Sequence, residues 1–337
     1  MIRKLFLFFI SFLVGIGIFW WVGKIVGWQE IGRALSGLFG WQGIIIFILS
    51  VLIVLIGTWK WKEILRGEEI NLGLKELLSP YLGGFSLMFL APILVWAGET
   101  FRVYSLKEKY STSWTKGMTS VIIDRILEWT TNLIVIFFGS LFFLYKIGLP
   151  SKNILLIFGS IILIFIGFLS FFYFKAFKKE SIAKTIGKIF NGNLDSQPLE
   201  VEKEIFNFFH FKKAPMWNAI FLSFLRTSIM YARAWILIFF LGKNINALTA
   251  LSILGFSYLA TIIPIPTALG SHEAIQTFAF SYLNLGFSIA TAFTMIIRGA
   301  DLIIALTGII FLFHFSIIII KNRIFKKIEH FANLIKK

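Results

Sequence analysis

The sequence predicts an all-α integral membrane protein, and three observations carry that prediction. Hydrophobic residues fill 58% of the 337 positions and charged residues only 15%, against about 25% charged in soluble domains. Several apolar runs reach the roughly 20 residues that a helix needs to cross a bilayer. Two further apolar stretches, residues 77–96 and 248–282, are interrupted by Pro and Gly. The expected architecture is about six full spans plus two broken, re-entrant helix pairs arranged as an inverted repeat. Both termini are expected on the cytoplasmic side of the cell membrane.

Taken in order, residues 5–22 form the first expected span. The start, "MIRKLFLFF", resembles a signal peptide in its basic opening. However, the apolar part is too long for such a leader, lacks an A-x-A site, and ends in Trp20 and Trp21, an aromatic pair suited to a bilayer interface. Residues 41–59, 118–145, 154–174, 216–241 and 287–320 supply the other full spans. Residues 1–320 read as one polytopic domain with an amphipathic cytoplasmic loop at 175–215. Residues 321–337, "KNRIFKKIEHFANLIKK", read as a basic amphipathic tail with Ile324, Ile328, Phe331 and Ile335 on one face. Loop and tail both suit an anionic leaflet.

Positive charge sets the orientation. With a cytoplasmic N-terminus and re-entrant broken stretches, 24 of the 33 Lys and Arg residues fall on cytoplasmic segments and five on outer ones. The other four, Arg125, Arg226, Arg233 and Arg298, lie inside spans. This asymmetry also accounts for the net charge of +16 without nucleic acid as a partner.

The broken stretches resemble one another. The first carries Pro92, Gly98 and Glu99, followed 25 and 26 residues after Glu99 by Asp124 and Arg125. The second carries Pro264, Pro266, Gly270 and Glu273, followed 25 and 28 residues after Glu273 by Arg298 and Asp301. Interrupted segments in matching positions of two halves point to a transporter's substrate site.

A charge at the bilayer centre costs roughly 2.5–3.5 kcal/mol on insertion scales, so these groups must be paired or line a wet cavity. Arg125 with Glu128 and Arg298 with Asp301 are each three apart on one helix and can neutralise one another. Arg226 and Arg233 have no acid between residues 205 and 272. Their expected partners are Glu99, Glu273 or an anionic ligand, for which an Arg fork is well shaped. Arg102, beside Glu99, either joins this wet site or marks the cytoplasmic interface.

Catalytic chemistry finds little support in the sequence. There is no Cys, which excludes thiolate nucleophiles and thiolate metal sites. "SHEAIQ" opens like a zinc-protease motif, but Gln276 stands where the second His would be. No phosphate-binding loop or hydrolase elbow occurs. No cofactor is expected.

With these residues assembled, "GETFRVYSLKEKYSTSWTKGMTSVIIDRILE" (98–128) and "PIPTALGSHEA" (264–274) resemble two blocks of the transmembrane-region family of lysylphosphatidylglycerol synthases, flippase-like membrane proteins. The resemblance covers residues 77–128 and 250–310. It implies a membrane domain that moves a lipid between leaflets, with the Gly-Glu and Gly-x-x-Glu turns forming the site. The family's cytosolic synthase domain has no counterpart in the sequence through Lys337. Thr267 and Ala268 replace its usual Gly-Gly, which bears on substrate choice.

The expectation is therefore translocation of an anionic lipid, a phospholipid or a polyprenyl-phosphate-linked lipid, by a protein that is not an enzyme. Arg226 and Arg233, with Arg125 or Arg298, would hold phosphate, and Glu99 and Glu273 the opposing charge. The alternatives are a membrane-embedded enzyme, or an accessory subunit of a separately encoded glycosyltransferase or synthase in lipid-linked sugar or aminoacyl-lipid modification.

Overall fold

The computed structural model describes residues 40–90, 96–148, 152–178, 180–182, 196–210, 213–261 and 270–335, with residues 20, 24, 28 and 29; beyond residue 312 only the backbone is described. The expected span at 5–22 apart from Trp20, the breaks Pro92, Pro264 and Pro266, and parts of the 175–215 loop lie outside these residues.

Among the described residues there are ten helices and no strand. They are α1 (Trp41–Gly67), α2 (Leu74–Leu90), α3 (Ala97–Tyr110), α4 (Trp114–Ile147), α5 (Lys152–Lys178), α6 (Ser196–Phe208), α7 (Ala214–Phe240), α8 (Ala247–Thr261), α9 (Ser271–Tyr282) and α10 (Phe287–Ile335). Four of them, α1, α4, α7 and α10 up to Leu312, are long and apolar enough to cross a membrane. A helix satisfies its backbone groups internally, which hydrocarbon demands. The outer faces of these helices carry exposed Phe47, Leu52, Phe138, Phe221, Phe239 and Ile310, a surface suited to lipid rather than water.

The same order of elements occurs twice. In α1–α4 and again in α7–α10, two short helices stand between two long ones. The halves exchange partners: α2 of the first packs along α10, α8 of the second packs along α4, and α1 packs on α7. Between the halves, α5 and α6 pack on each other and on α4.

Small residues let these helices approach. Gly98 is the second residue of α3, and a Cβ there would collide with the carbonyl oxygen of Gly84 on α2. Gly98 therefore permits backbone contact within the helix. Trp96, which precedes α3, is in a left-handed conformation with φ 70, a strained state for a bulky residue. The basic tail is no separate element in the backbone, which runs on helically to Ile335 as part of the 49-residue α10.

Candidate functional site

The charged residues fall into two clusters at corresponding places in the two halves. In the first, Asp124 on α4 is the hub. Its Oδ1 lies 2.7 Å from Lys60 Nζ and its Oδ2 2.7 Å from Arg102 Nη1. All three side chains are essentially buried. The Arg102 guanidinium sits 4.0 Å from the Trp61 ring centre and 4.9 Å from that of Tyr81. Trp61 is anchored in turn by Nε1 donating to Ser120 Oγ at 3.1 Å. A charge this deep must be fully compensated, and here two cations share one carboxylate while aromatic faces shield one of them.

A second chain of ion pairs continues from the same helix. Glu99 Oε1 lies 2.5 Å from Arg125 Nε, Arg125 Nη1 donates to Glu128 Oε2 at 2.6 Å, and Arg226 Nη1 donates to Glu128 Oε1 at 2.8 Å. Glu99 belongs to the first turn of α3, where the helix dipole favours negative charge. The cluster holds Lys60, Arg102, Arg125 and Arg226 against Glu99, Asp124 and Glu128.

In the second half, Arg233 Nη1 donates to Asp301 Oδ1 at 2.9 Å and to Ser50 Oγ on α1 at 2.8 Å. Glu273 Oε2 accepts the Gly270 amide at 2.7 Å, closing the start of α9, where Gly270 has φ 82. Gln276 Nε2 donates to Ile253 O at 3.1 Å and Ser257 Oγ at 2.5 Å. The Arg298 guanidinium lies over Phe89 of α2 at 4.5 Å. Arg233, Ser257, Tyr258, His272, Arg298 and Asp301 border a cavity of about 80 Å³.

Counting from helix starts shows the correspondence. Arg125 and Glu128 lie 11 and 14 residues after Trp114, as Arg298 and Asp301 do after Phe287. Glu99 and Glu273 are each the third residue of their helix, and Arg102 and Gln276 each the sixth. Lys60 and Arg233 each lie 19 residues after the first residue of α1 and α7.

Several expectations change. Arg226 and Arg233 reach Glu128 and Asp301, not Glu99 or Glu273. A carboxylate has two oxygens, so Glu128 serves both its helical neighbour Arg125 and Arg226 across the bundle. Asp301 turns to Arg233, and the Arg298–Asp301 pair expected from spacing does not form as a direct ion pair among the described residues. Glu99 and Arg102 are 5% and 2% exposed, so both are enclosed by the fold rather than facing solvent. Lys60, counted above as a cytoplasmic charge, is 1% exposed and was missed, as were Trp61 and Tyr81. The signal for Lys60 was its position, which matches that of Arg233.

A family model described as the lysylphosphatidylglycerol synthase TM region matches residues 8–308. The chain belongs to that family. Among its relatives are UPF0104 membrane proteins of three archaea. That of Methanocaldococcus jannaschii is 25% identical over 84% of this chain and 86% of its own. That of Pyrococcus horikoshii is 26% identical over 76% and 80%, and that of Methanothermobacter thermautotrophicus 21% over 81% and 85%. No solved structure matches the chain. Membership makes this an integral membrane protein in a lipid-related family, and both charged clusters fall within the matched residues.

Proposed function

We propose that the protein moves an anionic lipid between leaflets of the cell membrane, without chemically altering it and without nucleic acid as a partner. The observation that carries this reading is the pair of corresponding charged clusters inside a bundle of apolar helices. One is closed by ion pairs, and the other borders a cavity. Carrying a headgroup through such a site avoids the cost of bare hydrocarbon. In this reading α2–α3 and α8–α9 are re-entrant pairs from opposite sides, completing about six spans in an inverted repeat with cytoplasmic termini. Such repeats place the substrate near mid-membrane, between halves that rock against one another.

The test uses purified protein in liposomes with fluorescent headgroup-labelled phosphatidylglycerol or, separately, a labelled short polyprenyl phosphate. Dithionite quenching follows leaflet exchange. Wild type should accelerate exchange of at least one lipid, and Glu99→Gln, Arg226→Ala and Glu273→Gln should lower the rate while remaining folded. Wild-type protein that moves neither lipid, with or without an ion gradient, would sink the proposal and favour an accessory-subunit role.

A further inference from the structure

Arg298 is a partly buried cation whose counterpart in the other half is ion-paired, while Arg298 itself, among the described residues, is not. In the first half Glu99 approaches Arg125 to 2.5 Å. In the second, the corresponding carboxylate, Glu273, is committed to the Gly270 amide, and the corresponding acid on α10, Asp301, is held by Arg233. Among the described residues Arg298 makes no direct ion pair, and its Nε is buried without a hydrogen-bond partner. Beside it, His272 is 7% exposed and its Nε2 also lacks a partner. Both residues line the same cavity of about 80 Å³. Ser257 and Tyr258 add hydroxyls to its wall, and Asp301 is the single carboxylate lining it among the described residues. Buried polar atoms are rarely left unsatisfied, and here two of them belong to residues that line one cavity. Of the charged side chains lining the cavity, two are guanidiniums, Arg233 and Arg298, and one is a carboxylate, Asp301; with Glu273 turned to the Gly270 amide, the lining itself favours an anion.

We infer that this cavity is a phosphate-oxyanion site, in which a ligand oxygen takes the place on Arg298 that the Glu99 carboxylate takes on Arg125. His272, with its proton on Nε2, donates to a second oxygen. Arg233 pairs with Asp301, which reduces like-charge repulsion across the cavity. Glu273 is a built-in rival: freed from Gly270, its carboxylate could fill the same place. The inference rests on the lipid-translocation reading only for the source of the phosphate, which is a lipid headgroup there and inorganic phosphate otherwise.

Two probes separate these sources. Purified protein in detergent is titrated calorimetrically with inorganic phosphate. Protein in phosphatidylcholine nanodiscs, with and without added phosphatidylglycerol, is followed by phosphorus NMR of the added lipid. Wild type should bind at least one probe. Arg298→Gln and His272→Asn should each weaken that binding at least about tenfold, the effect of losing a hydrogen bond to a charged group. Lys243→Gln, at a residue that does not line the cavity, should leave it unchanged. Thermal unfolding of each variant checks folding, and His272→Asn keeps the test decisive if Arg298→Gln does not fold, because it removes no net charge.

Binding of phosphatidylglycerol alone assigns the site to a headgroup, and binding of inorganic phosphate alone assigns it to a soluble anion. No binding of either by wild type, or unchanged binding in both variants, would overturn the site. Binding that persists in protein unable to exchange lipid would instead remove the transport reading and leave the site standing.

Discussion

Arg125 and Arg298 sit at the same place in the last helix of their halves, yet Arg125 bridges Glu99 and Glu128 while Arg298 rests on the ring of Phe89. The two halves thus hold corresponding arginines, and corresponding acids at Glu99 and Glu273 and at Glu128 and Asp301, in two states of charge pairing. That difference tells which groups are committed to stability and which are free to meet a ligand.

Asp124 is committed. Among the described residues it is the one acid in ion-pair contact with Lys60 and Arg102, and all three side chains are buried. Asp124→Asn should lower stability by about 3–5 kcal/mol, the cost of leaving buried charge unpaired. Adding Lys60→Met to Asp124→Asn should recover part of that loss, since one of the two stranded cations is gone. Thermal unfolding in detergent checks both, and a loss below about 1 kcal/mol in Asp124→Asn would show that water reaches this cluster.

Arg102→Lys keeps the charge but loses the flat guanidinium against Trp61 and Tyr81. Cation–π contacts are worth about 0.5–2 kcal/mol, and lysine cannot present the same planar fork. A melting temperature within error of wild type would show that the rings only fill space.

Gly98→Ala should destabilise the pairing of α2 and α3 by roughly 1–3 kcal/mol, the usual cost of overpacking, because the new methyl meets the Gly84 carbonyl and the Met88 side chain. Gly159→Ala on α5 is the control. Nothing lies within 4 Å of a Cβ there, and alanine is favoured over glycine inside a helix by up to about 1 kcal/mol. Equal effects from the two changes would contradict the close approach.

Glu68, just past the end of α1, gives the protein a pH dependence. Burial, then the neighbouring Glu204 carboxylate, pushes its carboxyl up to about 7, against the pull of Lys213 and Lys116. The folded state thus holds this proton more tightly than the unfolded chain. Its contribution to stability is complete below the unfolded value near 4.5 and is lost as pH rises through about 7. By linkage the swing is at most about 3 kcal/mol. Unfolding measured from pH 5 to pH 8 should show wild type losing stability with rising pH, and Glu68→Gln losing less. Parallel curves would show that the carboxyl is solvated.

Apolar run length made α1, α4, α7 and α10 legible, because hydrocarbon solvent imposes a simple rule on composition. The local Arg125–Glu128 pair was legible too, since three residues bring two side chains onto one helix face. The longer pairings were not. Arg102 and Asp124 lie 22 residues apart and Glu128 and Arg226 lie 98 apart, and no periodicity records which helix will stand beside which. Lys60 was hidden by its neighbours: "KWKEILR" has the composition of an interfacial segment, and only the tertiary position of α1 draws Lys60 inward. Gly98 read as a break because glycine often marks one, whereas its lack of a side chain serves the contact with Gly84.

Met88 and Phe89 are adjacent on α2, and each touches an arginine from a different half: Arg125 Nη2 contacts the Met88 sulfur, and Arg298 lies over the Phe89 ring. Neighbouring helical residues are fixed to one another by about 1.5 Å of rise. Neither contact can therefore slide without dragging the other. The helix acts as a rigid crossbar between the two arginines, so that a twist loosening one is felt at the other within the same movement.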